Sequence, residues 1–288
     1  MKEIVVISGK GGTGKTSLVA GMAASGPSKV LADCDVDAAD LHLVLDPRVE
    51  ATQEFISGEL ASIDPQLCSA CGLCLNYCRF GAITQDFQII PEYCEGCALC
   101  YHVCPENAVR LSQRRCGEWY RSQTRFGPMI HAHLDIGQEN SGKLVTLVRK
   151  ESQRVAQDKG LGTVLTDGSP GVGCPVIASL TNASMVLLVT EPTVTAFADL
   201  RRVLDLTAHF QLPCLGIINK ADINPELTRV MENFFHHRRV DLLSTLSYDP
   251  DFTRAQILGQ SVVEYNPEKW SSAMDHIWRA IDQKSHFA

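Results

Sequence analysis

The sequence predicts an α/β fold whose mostly parallel sheet is covered by helices on both faces. Two observations support this: short apolar runs typical of doubly buried strands, and helical patterns between the later runs. Strands that alternate with helices pair in parallel through right-handed crossovers. The predicted strands are Glu3–Ser8, Val30–Asp33, Thr163–Asp167, Met185–Thr190 and Cys214–Asn219, with a weaker one at Leu242–Leu246.

Helices are predicted from about Lys15 and over Thr195–Phe210, Pro225–His237 and Pro267–Ile281. The stretch Gly117–Leu134 partly alternates, which is typical of a hairpin. After it, Asn140 and Ser141 are candidate caps for a helix that runs to about Lys159.

The alternation of strands and helices stops between about Ala61 and Ser112, where the chain is rich in cysteine and poor in long apolar runs. We therefore predict a main domain in two parts, residues 1–60 and 113–288, with a small inserted domain over residues 61–112. A length of 288 residues suits one large α/β domain with such an insertion.

Composition restricts the function. The net charge of −7 provides no general basic field for nucleic acid. No apolar run reaches the 18 or so residues of a membrane span, and MKEIVVIS does not resemble a signal peptide, so we expect a cytoplasmic protein. Because that compartment is reducing, twelve cysteines indicate metal or redox chemistry rather than disulfides.

The segment GKGGTGKT, residues 9–16, satisfies G-x-x-x-x-G-K-[ST] and lies between an apolar strand and a helix. Such a loop directs backbone N–H groups at phosphates, its lysine reaches the terminal phosphates, and its hydroxyl binds Mg²⁺. The predicted nucleotide-binding residues of the loop are Gly9, Gly11, Gly12, Thr13, Gly14, Lys15, Thr16 (also the Mg²⁺ ligand) and Ser17.

Carboxylates follow two of the predicted strands. Asp33, Asp35 and Asp37 end the second strand, and Asp167 begins the segment DGSPG. Ligands of open parallel sheets bind at the carboxyl ends of the strands, where these side chains gather. We expect one carboxylate to hold Mg²⁺ through water and another to position the attacking water.

The loop, with its extra Lys10, resembles the deviant Walker A motif of the MinD/ParA superfamily, which includes the nitrogenase iron protein and the Mrp-type iron–sulfur carriers. The resemblance implies a Mg²⁺-dependent ATPase that forms a homodimer on binding ATP, with Lys10 reaching the partner's nucleotide. It also implies roles for Asp35 in switch I and for Asp167 to Gly171 in switch II. The predicted catalytic residues are Lys10, Lys15, Asp35 and Asp167.

Residues 219–222 read Asn-Lys-Ala-Asp and allow two interpretations. They match the guanine motif N-K-x-D, and they also lie where the superfamily places an adenine-contacting asparagine. Given the family, we favour ATP, with Asn219 contacting the base and Gly171 contributing to the nucleotide site.

Eight cysteines form two runs of the spacing C-x₂-C-x₂-C-x₃-C, which matches the bacterial two-cluster ferredoxin pattern. In that pattern the fourth cysteine of each run binds the other cluster. Zinc is the alternative, although it usually uses separated C-x₂-C pairs. Arg79 replaces the proline that usually follows the first run. The predicted ligands are Cys68, Cys71, Cys74 and Cys104 for [4Fe–4S] cluster 1, and Cys94, Cys97, Cys100 and Cys78 for [4Fe–4S] cluster 2.

Cys174 lies seven residues after Asp167, the spacing of a cluster-ligand cysteine in the nitrogenase iron protein. The resemblance suggests a further metal site at a dimer interface, with Cys116 as a second candidate ligand. A buried free cysteine is the more common case. His131 and His133 alternate on a predicted strand, where a packing role is favoured over a metal pair.

Two segments allow weaker alternatives. The basic residues 236–239 end a helix, where positive charge complements the dipole, so DNA binding has little support. The C-terminal helix has Met274, Ile277, Trp278 and Ile281 on one face. Core packing is favoured there over a MinD-like membrane anchor because few basic residues accompany them.

Together these features predict an ATP-gated switch that acts in electron transfer or in iron–sulfur and metallocofactor assembly, with a redox or metallocofactor protein as partner. The alternative is a spatial organiser or regulator like MinD or ParA whose ferredoxin domain senses redox state. A third interpretation makes the clusters purely structural.

Overall fold

One sheet of nine strands runs through the computed structural model, which describes residues 1–135 and 141–285 of the chain. The strand order is β3-β4-β5-β2-β6-β1-β7-β8-β9. Every neighbouring pair from β5 across to β9 is parallel, which confirms the predicted α/β class. The strands are β1 (Lys2–Ser8), β2 (Val30–Asp33), β3 (Arg48–Ile63), β4 (Val109–Thr124), β5 (Gly127–Leu134), β6 (Thr163–Pro170), β7 (Met185–Thr190), β8 (Cys214–Ile218) and β9 (Asp241–Thr245).

The long helices lie where apolar periodicity predicts them, with ends that shift by a few residues. The predicted cap Asn140 lies outside the described residues, and the helix after it begins at Ser141. The helices are α1 (Lys15–Ala23), α2 (Leu41–Leu45), α3 (Leu73–Tyr77), α4 (Leu99–His102), α5 (Ser141–Asp158), α6 (Cys174–Leu180), α7 (Val194–His209), α8 (Pro225–His237), α9 (Pro250–Ile257), α10 (Val262–Tyr265) and α11 (Pro267–Ser285).

The central strand β1 is buried on both faces because its alternate side chains enter two separate apolar clusters. Ile4 and Val6 pack with residues of α1 and α11. Val5 and Ile7 pack with residues of α6, α7 and α8. A strand that serves two cores needs a continuous apolar run, and the sequence shows one at this position.

The apolar face of α11 belongs to the first of these clusters. Met274, Ile277, Trp278 and Ile281 are all buried in it, and the indole N–H of Trp278 donates to the Met22 carbonyl at 3.0 Å. Core packing of this helix is therefore confirmed. Within the described part of the chain, no helix combines the length and hydropathy that crossing a membrane requires.

The contacts divide the chain into two compact units. The larger unit contains Met1–Thr52, Trp119–His133 and the chain from Ser141 onward. The smaller unit contains Gln53–Glu118 with Leu134 and Asp135. The sequence places the insertion at residues 61–112 instead, because the boundaries between the units fall within β3 and β4 and a change of composition does not mark them.

Strand β3 is absent from the sequence-based prediction. Its sixteen residues are mostly exposed and mix polar with apolar side chains, so no buried run identifies it. Strand β4 begins at Val109, eight residues before the predicted hairpin. A sheet edge that is solvated on much of its surface gives a weak periodic signal.

His131 and His133 both contact Tyr120, but only His131 is buried. The Nε2 atom of His131 lies 3.0 Å from the Ser122 hydroxyl, and its ring stacks on Tyr120 with 4.8 Å between centroids. Burial, reinforced by His42 and His133, lowers the pKa of His131 from 6.5 to about 4. His131 is thus a core histidine that stays neutral at physiological pH.

Replacing His131 with glutamine is expected to make the fold less sensitive to acid. An unfolded histidine binds its proton near pH 6.5, whereas His131 in the folded protein binds it only near pH 4. Stability is therefore full above pH 6.5 and falls as the pH drops toward 4, by about 3 kcal/mol. Glutamine does not titrate and should lack this loss. Urea unfolding between pH 7 and pH 4 measures the free energy of unfolding of both proteins. The same pH dependence in both would contradict the lowered pKa of His131.

Candidate functional site

The glycine-rich loop of residues 9–14 joins β1 to α1. Gly12 and Gly14 have φ of 80° and 87°, in the left-handed region that favours glycine. A Cβ at Gly14 would lie 2.4 Å from Asn219 Nδ2, an amide that donates to the Thr13 carbonyl at 2.8 Å. The end of β8 therefore holds the loop in place. Because α1 begins directly after Gly14, its free N–H groups and positive dipole end lie at the loop.

The first two residues of α1 bind one carboxylate of β6. Lys15 Nζ lies 2.5 Å from Asp167 Oδ1, and the Thr16 hydroxyl donates to Asp167 Oδ2 at 2.7 Å. Asp35 Oδ2 lies 3.7 Å from Lys15 Nζ. Asp33 and Asp167 are register partners on the parallel strands β2 and β6. The structure thus brings Lys15, Thr16, Asp35 and Asp167 together at the carboxyl edge of the sheet.

The charges of this site are strongly coupled. Burial alone would lower the pKa of Lys15, but the carboxylates of Asp167 and Asp35 outweigh it and raise that pKa. Burial raises the pKa of Asp35 to about 6 against the opposing effect of Lys15. Burial and Asp167 raise the pKa of Asp33 well above its usual range. One buried ammonium group thus contacts the carboxylates of Asp167 and Asp35, and oxygen atoms are the ligands that Mg²⁺ prefers.

Lys10 binds a residue that sequence reasoning missed. Its Nζ lies 2.7 Å from Glu191 Oε1 and 3.5 Å from the Thr195 hydroxyl. Lys220 Nζ lies 2.8 Å from Glu191 Oε2 and donates to the Gly12 carbonyl at 2.8 Å. Burial would raise the pKa of Glu191, but hydrogen bonds from Lys10 and Lys220 lower it. Glu191 follows the buried strand β7, so the strand-end rule that selects Asp35 also selects Glu191.

A cavity lies beside the glycine-rich loop. Asn219, the predicted base-contacting residue, lies in its wall. The Asp222 carboxylate, which would be the guanine-reading group of N-K-x-D, accepts the Tyr248 N–H at 2.5 Å instead. The Gln256 amide donates to the Ser17 hydroxyl at 2.9 Å. The cavity is lined by Gly12, Gly14, Ser17, Asn219, Lys220, Tyr248, Asp249, Phe252, Thr253 and Gln256.

The segment after Asp167 turns back onto the loop. Gly171, with φ of 95°, donates its N–H to the Ser8 carbonyl at 2.8 Å. Cys174 is exposed at the start of α6. In the smaller unit Cys116 is buried, and its thiol donates to the Ser57 carbonyl at 3.1 Å. Cys116 therefore has the environment of an ordinary buried cysteine.

Two cavities of the smaller unit divide the eight clustered cysteines into sets of four. Each set combines three cysteines of one run with the last cysteine of the other run. The first cavity is lined by Cys68, Cys71, Cys74 and Cys104, and the second by Cys78, Cys94, Cys97 and Cys100.

The two runs adopt matching local structure. A left-handed residue, Gly72 with φ of 79° and Ala98 with φ of 63°, precedes the short helices α3 and α4. Burial and then the neighbouring thiols raise the pKa of Cys74 and Cys100. Within residues 1–135 and 141–285, no group of three or more His, Cys, Asp or Glu side chains is arranged to hold a metal ion.

The chain matches the CobQ/CobB/MinD/ParA nucleotide binding domain family over residues 4–262. It is 34% identical over 225 residues to the uncharacterized protein MJ0578 of Methanocaldococcus jannaschii, an alignment that covers 77% of this chain and 79% of that protein. Neither comparison names an iron–sulfur domain, so the inserted iron–sulfur domain stays a prediction.

Solved structures show the same fold. The cell division ATPase MinD of Pyrococcus furiosus aligns with a TM-score of 0.58 at 21% identity over 98% of both chains. The septum site-determining protein MinD of Pyrococcus horikoshii, complexed with Mg-ADP, gives 0.60 at 19% identity over 99% of this chain and 97% of that one.

A MinC:MinD complex of Aquifex aeolicus gives a TM-score of 0.59 at 16% identity, covering 98% of this chain and 96% of that one. The glycine-rich loop, the acidic strand ends and the parallel sheet all lie within the matched residues 4–262. The chain belongs to the CobQ/CobB/MinD/ParA family of nucleotide-binding P-loop proteins, in which the MinD and ParA branches are ATPases.

Proposed function

We propose that the chain is a Mg²⁺-dependent ATPase that works as a homodimeric switch, and that its smaller unit binds two [4Fe–4S] clusters. The observation that carries the cluster proposal is the division of eight cysteines into two sets of four around two cavities. Each set takes its fourth member from the other run, which is the ligand pattern expected of a two-cluster ferredoxin.

The cysteine sets fit a cluster in their chemistry as well as in their number. Thiolates are soft ligands suited to iron–sulfur clusters. The four thiols of each set line one cavity. When bound, clusters of this type accept and release single electrons. The proposed ligands are the four cysteines of each cavity as the sequence analysis assigns them.

Residues of the larger unit have distinct proposed roles toward ATP. Backbone N–H groups of the loop bind the phosphates, and Lys15 moves from Asp167 to the terminal phosphates. Thr16 and Asp167 are the candidate Mg²⁺ ligands, directly or through water. Asp35 orients the attacking water, and its raised pKa suits a group that accepts a proton near neutral pH. The base lies against Asn219. It is adenine rather than guanine, because the Asp222 carboxylate that would bind guanine already accepts the Tyr248 N–H.

Two uses of such a switch have separate support. A spatial organiser or regulator is supported by the likeness to MinD structures, one of them in complex with MinC. ATP-gated electron transfer, or delivery of clusters to a partner protein, is supported by the two sets of cysteines. The comparisons favour the organiser, in which the clusters would act as a redox sensor of the ATPase.

One experiment separates these uses. We expect the anaerobically reconstituted protein to bind about eight iron atoms per chain. ATPase turnover is then measured with oxidised and reduced clusters, and the rate of cluster reduction is measured with ATP and with ADP. Turnover that depends on redox state, with reduction unaffected by nucleotide, supports the sensor. Reduction that depends on nucleotide supports gated electron transfer. A protein that binds no iron after reconstitution would contradict the cluster proposal.

A further inference from the structure

Glu191 binds the lysine near the start of the glycine-rich loop, and two lysines share its carboxylate. Lys10 binds one carboxylate oxygen at 2.7 Å and Lys220 binds the other at 2.8 Å. The carboxylate is largely buried, with its side chain 10% exposed, while that of Lys10 is 30% exposed. Charge-assisted bonds between partly buried groups are stronger than surface pairs.

The two lysines differ in what else holds them. Lys220 also donates to the Gly12 carbonyl at 2.8 Å, which fixes it against the loop. Lys10 has a long 3.5 Å contact to Thr195 as its second bond. When Lys10 leaves, Lys220 stays and keeps the buried carboxylate paired. Lys10 can therefore leave without the large energetic cost of an unpaired buried carboxylate.

We infer that Glu191 is a positioning residue that holds Lys10 in the nucleotide-free chain and must release it before the ATP-bound dimer forms. The inference rests on the proposed dimeric switch, in which Lys10 reaches the partner's phosphates. Phosphates of the second copy compete with the Glu191 carboxylate for the same ammonium group. Glu191 thus sets how readily ATP drives dimerisation. Lys220 remains as the counter-ion of Glu191 and lowers the energetic cost of releasing Lys10.

Two substitutions should shift the dimer in opposite directions. Glu191→Gln removes the negative charge that competes for Lys10, so the dissociation constant of the dimer should fall about five- to tenfold. Lys220→Met leaves Lys10 as the neighbouring cation of Glu191, so dimerisation should weaken. Sedimentation velocity with a saturating, slowly hydrolysed ATP analogue measures both. Asp275→Asn on the exposed face of α11 is the control for loss of one negative charge.

A double variant tests whether Glu191 acts through Lys10. In a Lys10→Met background, Glu191→Gln should leave the protein monomeric with ATP, whereas an effect of Glu191 that bypasses Lys10 would let the double variant dimerise. Amine labelling followed by mass spectrometry should also show faster labelling of Lys10 in Glu191→Gln without nucleotide. If the wild type dimerises with ATP and Glu191→Gln dimerises with the same affinity, the inference alone is overturned. A wild type that stays monomeric with ATP overturns the dimeric switch and the inference with it.

Discussion

Replacing Cys78 with alanine is expected to lower the iron content of the reconstituted protein from about eight to about four atoms per chain. Cys78 ends the first cysteine run but lines the cavity of Cys94, Cys97 and Cys100. A cluster that loses one of four thiolates loses a covalent ligand, and no nearby non-cysteine side chain of comparable softness lines that cavity. Iron and sulfide analysis after anaerobic reconstitution measures the effect.

Pairs of substitutions show which cysteines share a cluster. If Cys78 and Cys97 bind the same cluster, the double variant should keep about four iron atoms, as each single variant does. If Cys78 and Cys71 bind different clusters, their double variant should keep about none. The opposite pattern would assign Cys78 to its own sequence run and would refute the division that the two cavities indicate.

Cys116→Ser is the matched control for these variants. Cys116 is a buried cysteine of the same unit that lines neither cavity. Serine keeps a donor for the Ser57 carbonyl, which the thiol now contacts. The control should therefore retain about eight iron atoms. A loss of iron in this variant would indicate that substitutions in the unit disturb its folding rather than its ligands.

Local chemistry determines how much of the fold was predictable. Strands buried on both faces, such as β1 and β7, consist of apolar runs that a reader can locate from the sequence. Strand β3 is mostly exposed and mixes polar with apolar residues, and α10 is a single turn, so neither has a usable period. The boundaries of the inserted unit fall inside β3 and β4, where composition does not change at the boundary.

The site shows a similar limit. Lys15, Thr16 and the acidic strand ends follow from a local motif and a rule about parallel sheets. Glu191 is 181 positions from Lys10, and its role depends on which strand lies beside β1. The strand order was not predicted from the sequence. The rule that selected Asp35 would nevertheless have selected Glu191, because both follow a buried strand.

Replacing Lys15 with methionine is expected to weaken ATP binding about 100-fold or more, whereas Lys10→Met should leave ATP affinity within about threefold. Lys15 is buried against Asp167 and Asp35, so its removal deletes the ammonium group nearest the phosphates and leaves carboxylates that repel them. Lys10 binds Glu191 on the other side of the loop. Isothermal titration with Mg-ATP separates the two variants, and Lys150→Met, an exposed residue of α5, controls for lost charge.

The two variants should differ in the reverse sense when the dimer is measured. Lys10→Met should bind ATP and remain monomeric, because the group proposed to cross to the second copy is missing. Lys15→Met should fail to dimerise only because it lacks nucleotide, so a sufficiently high ATP concentration should partly restore it. If Lys10→Met dimerises like the wild type, Lys10 acts within its own chain. The Lys10–Glu191 ion pair would then be a fixed part of the loop rather than a contact that dimerisation breaks.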